Sequence, residues 1–245
     1  MKNFGMNIAD MYAGLMMIFL FVAISTLSHA NQSQNETDAV KKDIISLQQS
    51  REWMIEEIYN TLNDEFENDL QRWNAVIDPD LTIRFRNPDI LFVNGSSELE
   101  KEYKVILSNF FPRYLSIVKQ FGSSISSVSI DGHTSTLGWV GCVEDCSYFR
   151  NMLLSQERSA NTLSECWQNV EKPDQVFIQT KFVATGLSYS DPIYKVGDCP
   201  TGARMGLTCN VIDEEQSKRV EFTIKLDNAQ FINSLEGLVK NWPLK

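Results

Sequence analysis

Apolar side chains run almost without interruption through positions 11–27, with the sequence MYAGLMMIFLFVAISTL. Counted from Met6, the segment has about 20 residues, which is the length that a helix needs to cross the hydrocarbon core of a bilayer. The pattern predicts a single transmembrane helix, and we assign residues 1–30 to this helix and the short tip before it.

A second pattern follows between residues 38 and 76, where apolar side chains recur every three or four positions. They are Ile44, Leu47, Met54, Ile58, Leu62, Phe66, Leu70 and Trp73. This spacing places them on one face of a helix. We therefore expect residues 31–80 to form a polar linker and an amphipathic helix. The apolar face fits either a stalk that pairs with a second copy or a helix lying on the next domain, and the stalk is the preferred interpretation.

From residue 81 onward, short β-rich runs alternate with amphipathic stretches. The runs predict strands at 81–86, 126–132, 175–184 and 219–226, and helices at 99–121, 149–168 and 229–241. Such alternation is typical of helices packed on one sheet. The predicted fold class is α+β, with a globular domain at residues 81–245.

Composition excludes several function classes. The formal net charge of -10 leaves no basic surface for sequence-independent nucleic-acid binding. The chain has two histidines and no His-x-x-x-His or Cys-x-x-Cys spacing, so we expect no metal site. No Ser-His-Asp or Cys-His nucleophile set is evident, so we expect neither an enzyme nor a cofactor.

Asp10 is the only charged residue between Lys2 and Glu36. A carboxylate in an apolar span costs roughly 2.5–3.5 kcal/mol to insert, so a purely structural anchor would gain from losing it. Acids inside membrane helices most often serve as proton or cation relays. We predict that Asp10 carries a translocated ion, either H⁺ or Na⁺. The alternative is a hydrated, idle acid at the headgroup boundary.

The flanks of the apolar run predict its orientation. Lys2 precedes it, whereas positions 28–39 carry no basic residue, which favours a cytoplasmic N-terminus and an exported remainder. All five cysteines lie beyond the run, as an oxidising compartment would allow. Small residues at 28–30 (SHA) leave open a second interpretation, in which residues 1–30 are a cleaved signal peptide.

Two motifs within the predicted domain are specific. IDGHT at 130–134 is followed by NMLLSQERSA at 151–160, with FVNGSSEL at 92–99 and KRVE at 218–221 as further matches. This set resembles the OmpA-like peptidoglycan-binding family, which has acid-Gly-His-Thr-Asp and then Asn-x-x-Leu-Ser-x-x-Arg-Ala. The resemblance covers about residues 81–228 and implies the β/α sandwich of that family.

The resemblance implies a groove for the diaminopimelate of peptidoglycan. Arg158 would grip a carboxylate through two parallel hydrogen bonds, and Asn151 and Leu154 would form the groove wall. His133 and Thr134 would lie at its edge.

Each of these roles has an alternative. Arg158 could be a surface arginine paired with Glu157 or Glu165. Leu154 could belong to the core, and His133 could satisfy backbone groups at a strand end.

One position departs from the family pattern. Ser135 stands where the family has an aspartate that helps to hold the ligand's amine. A hydroxyl offers no charge, so we expect an ammonium group to be held less tightly. Asp131, Glu144 and Asp145 are candidates to replace that aspartate.

The chain is also longer than the family between residues 138 and 151 and between residues 192 and 219. These inserts contain four cysteines: Cys142, Cys146, Cys199 and Cys209. A disulfide would restrain such loops. We expect a Cys199–Cys209 bridge and a second bridge containing Cys142 or Cys146. Cys166 fits a small buried residue on a helix.

An OmpA-like domain behind one N-terminal helix with an acid resembles the B subunits of ion-driven rotary motors, such as flagellar MotB. The run ADMYAGLMMIFLF at 9–21 is more similar to the ZorB family of the Zorya anti-phage defence system. This implies a homodimer inside a pentameric MotA/ZorA-like subunit of the bacterial inner membrane, with a periplasmic domain on peptidoglycan. A flagellar-type stator and a passive envelope-to-wall tether remain alternatives.

Overall fold

The computed structural model describes residues 8–86, 88–93, 95–139, 141–142, 144–195, 211–229, 232–233 and 236–237. Contacts divide the chain into two compact units. The first comprises Met1–Glu52 with Ala229–Lys245, and the second comprises Trp53–Asn228.

Helix α1 extends over Ile8–Leu70 and contributes to both units. In the first unit, its apolar side chains from Tyr12 to Leu27 are exposed, Phe21 by 74%. A contiguous exposed surface of this kind marks a membrane or protein contact. By length and composition, α1 is able to cross a membrane, which confirms the predicted long apolar N-terminal helix.

The last turns of α1 belong to the core of the second unit. Ile58, Leu62 and Phe66 recur at intervals of four and are fully buried. Burying each such side chain stabilises the fold by about 1.5–3 kcal/mol. For this part of the helix, the structure supports the interpretation of a helix lying on the next domain. The compact unit accordingly begins at Trp53, before the predicted start at residue 81.

Five strands of the second unit form one sheet in the order β1-β2-β7-β3-β4, and a separate pair joins β5 to β6. Only β3 and β4 pair in parallel within the five-stranded sheet, and its other neighbours are antiparallel. The strands are β1 Ala75–Asp78, β2 Thr82–Phe85, β3 Ile125–Gly132, β4 Phe182–Gly186, β5 Tyr194–Lys195, β6 Val211–Ile212 and β7 Val220–Leu226.

Two long helices cover this sheet, α3 (Lys101–Gln120) and α4 (Glu144–Gln168). Phe110 of α3 lies 5.2 Å from Phe85 on β2 and 5.2 Å from Phe222 on β7, measured between ring centroids. Helix α4 packs against β3 and β4. The described part of the unit also contains three shorter helices: α2 Pro88–Leu91, α5 Lys172–Lys181 and α6 Glu214–Ser217. The α+β class is confirmed.

The predicted strand at 175–184 is wrong over most of its length. Residues Lys172–Lys181 form α5, and only β4 follows as a strand. Pro173 occupies the first turn, where a proline needs no N–H partner, while Asp174 near the start and Lys181 near the end complement the helix dipole. These terminal signals outweigh the β propensity of the apolar residues between them. The predicted helix at 229–241 lies largely outside the described residues.

Candidate functional site

Two glycines bring helix α4 onto the ends of two neighbouring strands. A Cβ added to Gly132, at the end of β3, would lie 2.3 Å from the backbone oxygen of Ser155. At Gly186, which ends β4, it would lie 2.4 Å from the backbone nitrogen of Gln156. Both distances are too short for any side chain. The close approach places the face of α4 that carries Arg158 beside the loop that leaves β3.

Backbone hydrogen bonds fix that loop. The N–H of His133 donates to the carbonyl of Arg219 at 3.0 Å, and the N–H of Thr134 donates to the carbonyl of Ser188 at 2.8 Å. Ser188 in turn donates its N–H to Ser155 Oγ on α4 at 2.9 Å. The loop and the helix are therefore held in one arrangement.

Between them lies an open cleft with a volume of about 290 Å³. It contains Thr134, Ser135, Asn151, Leu154 and Arg158, which are five of the six residues predicted from the family motifs. Ten residues line it, and they are Gly95, Thr134, Ser135, Leu137, Gly138, Trp139, Asn151, Leu154, Arg158 and Lys218.

Arg158 is 8% exposed in this cleft. Its Nε donates to the carbonyl of Ser96 at 3.0 Å, and its guanidinium carbon lies 4.7 Å from the ring centroid of Phe92. Among the side chains that the structure describes, no carboxylate pairs with it. Burial lowers the pKa of the guanidinium to about 10, so Arg158 remains charged at neutral pH.

The alternative partners of Arg158 do not reach it. Glu157 is exposed, and Glu165 lies 3.9 Å from Lys104 Nζ instead. Leu154 is half-buried at the cleft wall and is not part of the buried core.

Two further polar groups in the cleft have no hydrogen-bond partner among the residues that the structure describes. Asn151 is 4% exposed, and its Oδ1 accepts a hydrogen bond from Trp139 Nε1 at 3.1 Å. Its Nδ2 is buried without a hydrogen-bond partner, as is Oγ1 of Thr134. A buried polar group left unpaired costs about 1–3 kcal/mol. Together with the guanidinium, which has no carboxylate partner among the described residues, these atoms give the cleft three groups that can donate hydrogen bonds.

His133 lies outside the cleft lining, in a buried charged cluster. Its Nε2 is 3.2 Å from Oε2 of Glu221, whose other oxygen accepts hydrogen bonds from Arg219 Nε and Arg84 Nε, each at 2.6 Å. Burial alone would raise the pKa of Glu221. The hydrogen bond from His133 and the charge of Arg219 outweigh it and hold that pKa well below its usual range.

Two of the candidates to replace the family aspartate, Asp131 and Asp145, do not supply an acid to the cleft. Asp131 accepts a hydrogen bond from Ser129 Oγ and is not part of the lining, and Asp145 is exposed elsewhere. The side chain of Glu144 lies outside the described residues. Within the described ranges, no cluster of three or more His, Cys, Asp or Glu side chains could hold a metal ion.

Trp139 and Lys218 line the cleft although the motifs did not assign them to it. Trp139 donates its backbone N–H to Ser147 Oγ at 3.1 Å, and its ring lies 5.7 Å from the guanidinium carbon of Arg150. The available signal for Trp139 was a tryptophan in a long insert. Lys218 lies within the KRVE match, and its Nζ is 2.8 Å from Glu215 Oε1.

A disulfide connects this insert to the first turn of α4, because Cys142 is bonded to Cys146. Both cysteines were predicted to be disulfide candidates, with their partners left open. Cys199 and Cys209 lie outside the described residues, so their bridge stays a prediction. Cys166 is a free thiol that is fully buried on α4.

The chain is similar in sequence to a known protein. The chain is 36% identical to the Zorya protein ZorB of Escherichia coli strain Crooks over 222 residues, which cover 89% of this chain and 86% of that protein. No family profile matches the chain.

Solved structures, among them the following two, also match part of the chain. The cell wall anchor of the T6SS from Pseudomonas aeruginosa is 16% identical, with 68% of this chain and 97% of that chain covered and a TM-score of 0.43. The periplasmic domain of Helicobacter pylori MotB is 14% identical, with 67% and 87% covered and a TM-score of 0.44.

Proposed function

This chain belongs to the ZorB family of Zorya proteins, and from that membership we propose that it is the stator-like B subunit of an ion-driven motor in anti-phage defence. The motor lies in the bacterial inner membrane. The chain crosses that membrane once, with a cytoplasmic N-terminus and a periplasmic domain. Asp10 carries H⁺ or Na⁺, and the cleft at Arg158 anchors the domain to peptidoglycan. Neither role involves catalysis or a bound cofactor.

The ion-carrying role is supported by the setting of Asp10 on α1. At helical spacing, Asp10 shares a face with Ala13, Gly14 and Met17. A Cβ added to Gly14 would meet no atom within 4 Å, so no contact within the described chain calls for a glycine there. Small residues let a neighbouring membrane helix approach closely. Each unit charge that crosses the membrane gains about 2.3 kcal/mol per 100 mV, which can drive rotation.

We propose that two copies of the chain lie inside a pentamer of a MotA/ZorA-like subunit. The exposed apolar side chains of α1 between Tyr12 and Leu27 would then contact that subunit and the lipid. Loading and release of an ion at Asp10 would accompany rotation of the pentamer around the dimer.

The anchoring role is supported by the guanidinium of Arg158, which has no carboxylate partner among the described residues. Arg158 remains charged although it is only 8% exposed. The parallel N–H donors of its guanidinium suit the two oxygens of a carboxylate. Peptidoglycan stem peptides present such carboxylates. A stator needs an attachment of this kind because a subunit free to turn would transmit no torque.

Replacing Asp10 with asparagine tests the motor role. Asparagine keeps the size and polarity of the side chain but cannot ionise, so Asp10→Asn should abolish phage protection and ion flux while leaving membrane insertion intact. Both are measured in cells expressing the complete defence system. Asp43→Asn, which removes an acid from an exposed position on the same helix, is the matched control and should behave as wild type.

Full protection and ion flux in the Asp10→Asn variant would contradict the motor role. That result would favour a passive envelope-to-wall tether, for which Asp10 is dispensable. Co-purification with a polytopic membrane subunit in a fixed ratio separates the same two possibilities without mutation.

A further inference from the structure

We propose that the cleft recognises its ligand through a carboxylate alone and gives no recognition to an ammonium group, with Ser135 as the residue that sets this specificity. The inference rests on the proposed binding of peptidoglycan and narrows its ligand. A stem peptide would enter with an anionic end, and the amine of its diaminopimelate would contribute little.

The charge of the cleft lining supports this choice. The lining includes the cations Arg158 and Lys218, and none of its ten described residues is acidic. Two acids close in sequence to Lys218 are already engaged. Glu215 lies 2.8 Å from Lys218 Nζ, and Glu214 accepts the backbone N–H of Thr136 at 2.8 Å. Because Glu215 already compensates Lys218, Arg158 is the cation of the lining without an acidic partner, and a ligand ammonium would meet its like charge with no acid among the described lining residues.

The polar atoms of the cleft that lack a hydrogen-bond partner also favour a carboxylate over an ammonium. Nδ2 of Asn151 and Oγ1 of Thr134 are both buried without partners, in side chains that are 4% and 3% exposed. An amide nitrogen only donates, a hydroxyl can donate, and a guanidinium only donates. A carboxylate has about four acceptor sites to offer to such donors, whereas an ammonium has none.

Ser135 accounts for the absence of an ammonium site. It lines the cleft and is 8% exposed, at the position where the resembling family has an aspartate. Its hydroxyl can accept one hydrogen bond but cannot neutralise a cation. A neutral acceptor in a site that contains the charged Arg158 is a weak ligand for an ammonium group.

Three forms of one ligand test the proposal. The probes are a stem tripeptide ending in diaminopimelate, the same peptide with the side-chain amine acetylated, and the same peptide with the side-chain carboxyl amidated. Affinity is measured by calorimetry on the full chain in detergent micelles. Acetylation should change Kd by less than about threefold, whereas amidation should weaken binding by about tenfold or more, as expected for a lost charged hydrogen bond.

Substituting Ser135 provides the complementary test. Ser135→Asp should create a preference of about tenfold for the free amine over the acetylated peptide, because it adds the missing counter-charge. Ser135→Asn, which adds a similar volume without charge, is the matched control and should show no such preference. Since the substitution adds an interaction, loss of folding cannot imitate the expected result.

The outcomes separate this proposal from the one on which it rests. If acetylation weakens the wild type by about tenfold while intact sacculi still bind, carboxylate-only recognition is wrong and wall binding stands. If neither the peptides nor sacculi bind, both proposals are wrong.

Discussion

Two buried arginines in the same domain differ in their partners. Arg219 has a side chain that is 1% exposed, and it pairs with Glu221 and Asp191. Arg158 is comparably buried but has no acidic partner among the residues that the structure describes. Desolvation without compensation destabilises a charge, and such groups concentrate at functional sites. At the residue scale, pairing distinguishes an arginine that holds the fold from one that is available to a ligand.

Arg158→Gln should separate binding from stability. Removing the guanidinium should weaken binding to purified sacculi by about tenfold or more, because the charged fork is lost. The free energy of unfolding should change by less than about 1 kcal/mol, since the lost contacts with Phe92 and Ser96 are offset by the removal of a desolvated charge. Sedimentation with sacculi and urea denaturation measure the two effects.

The matched control is Arg51→Gln, which removes the same charge from an exposed position on α1. It should leave sacculus binding unchanged. Wild-type binding by the Arg158→Gln variant would remove Arg158 from the site.

In contrast to Arg158→Gln, Glu221→Gln should lower the free energy of unfolding and leave sacculus binding unchanged. The substitution leaves Arg219 with less compensation in the interior, so the free energy of unfolding should fall by about 3 kcal/mol at pH 7. Because the folded-state pKa of Glu221 is lowered, its contribution is complete above the ordinary carboxyl pKa of 4.5 and is lost as the pH falls through the folded-state value.

The difference between wild type and Glu221→Gln should therefore be smaller at roughly pH 3 than at pH 7. Urea denaturation at the two pH values measures it. Glu56→Gln, on the exposed side of α1, is the control. A constant difference across this range would show that Glu221 acts without its charge.

At the scale of elements, prediction from sequence succeeded where periodicity and burial agree. Ile125, Val128 and Ile130 of β3 are fully buried on a strand that the pattern located within one residue. It failed at α5, where Phe177 and Ile178 fit a strand and the deciding signal was Pro173 at the helix start. Periodicity reports burial, and the choice between helix and strand also depends on the ends of the element.

The candidate site shows the same division between what could and could not be predicted. Family motifs identified Asn151 and Arg158 because their spacing repeats a known pattern. Trp139 lies in an insert that no motif covers, and its place depends on bonds to Ser147 and Asn151. Tertiary contacts of this kind produce no periodic pattern in a sequence.

The Cys142–Cys146 disulfide should act on the cleft more than on global stability. It closes a short loop, so its removal should cost no more than about 2 kcal/mol. The loop that carries Trp139 would lose a restraint, and peptide affinity should fall by about threefold to tenfold. Calorimetry with and without a reductant measures this change.

The double variant Cys142→Ser/Cys146→Ser provides the control. It should bind as weakly as the reduced wild type and should not respond to the reductant. Equal affinity in the oxidised and reduced wild type would show that the disulfide does not order the cleft.

At the scale of the whole molecule, the compact unit depends on the end of α1. A fragment of residues 53–228 should unfold cooperatively on heating, because it retains Ile58, Leu62 and Phe66 in the core. A fragment of residues 81–228 loses these side chains and β1. The lost burial, about 1.5–3 kcal/mol for each side chain, is comparable to the whole stability of a typical domain.

Circular dichroism during heating distinguishes the two fragments. A longer fragment of residues 45–228 is the control, since the residues it adds lie outside the compact unit, and it should melt at the temperature of the 53–228 fragment. A cooperative transition in the 81–228 fragment would show that the end of α1 is an accessory to the domain.

Under the proposed anchoring, the mechanical strength of the domain would depend on whether a ligand occupies the cleft at Arg158. A carboxylate that binds only the folded state stabilises it, by about 2.7 kcal/mol when its concentration is a hundred times Kd. Forced unfolding is governed by the rate at which the folded state opens. If the cleft binds the wall as proposed and the carboxylate stays bound until the domain opens, attachment would lower that rate, and the domain would resist force best while it bears a load.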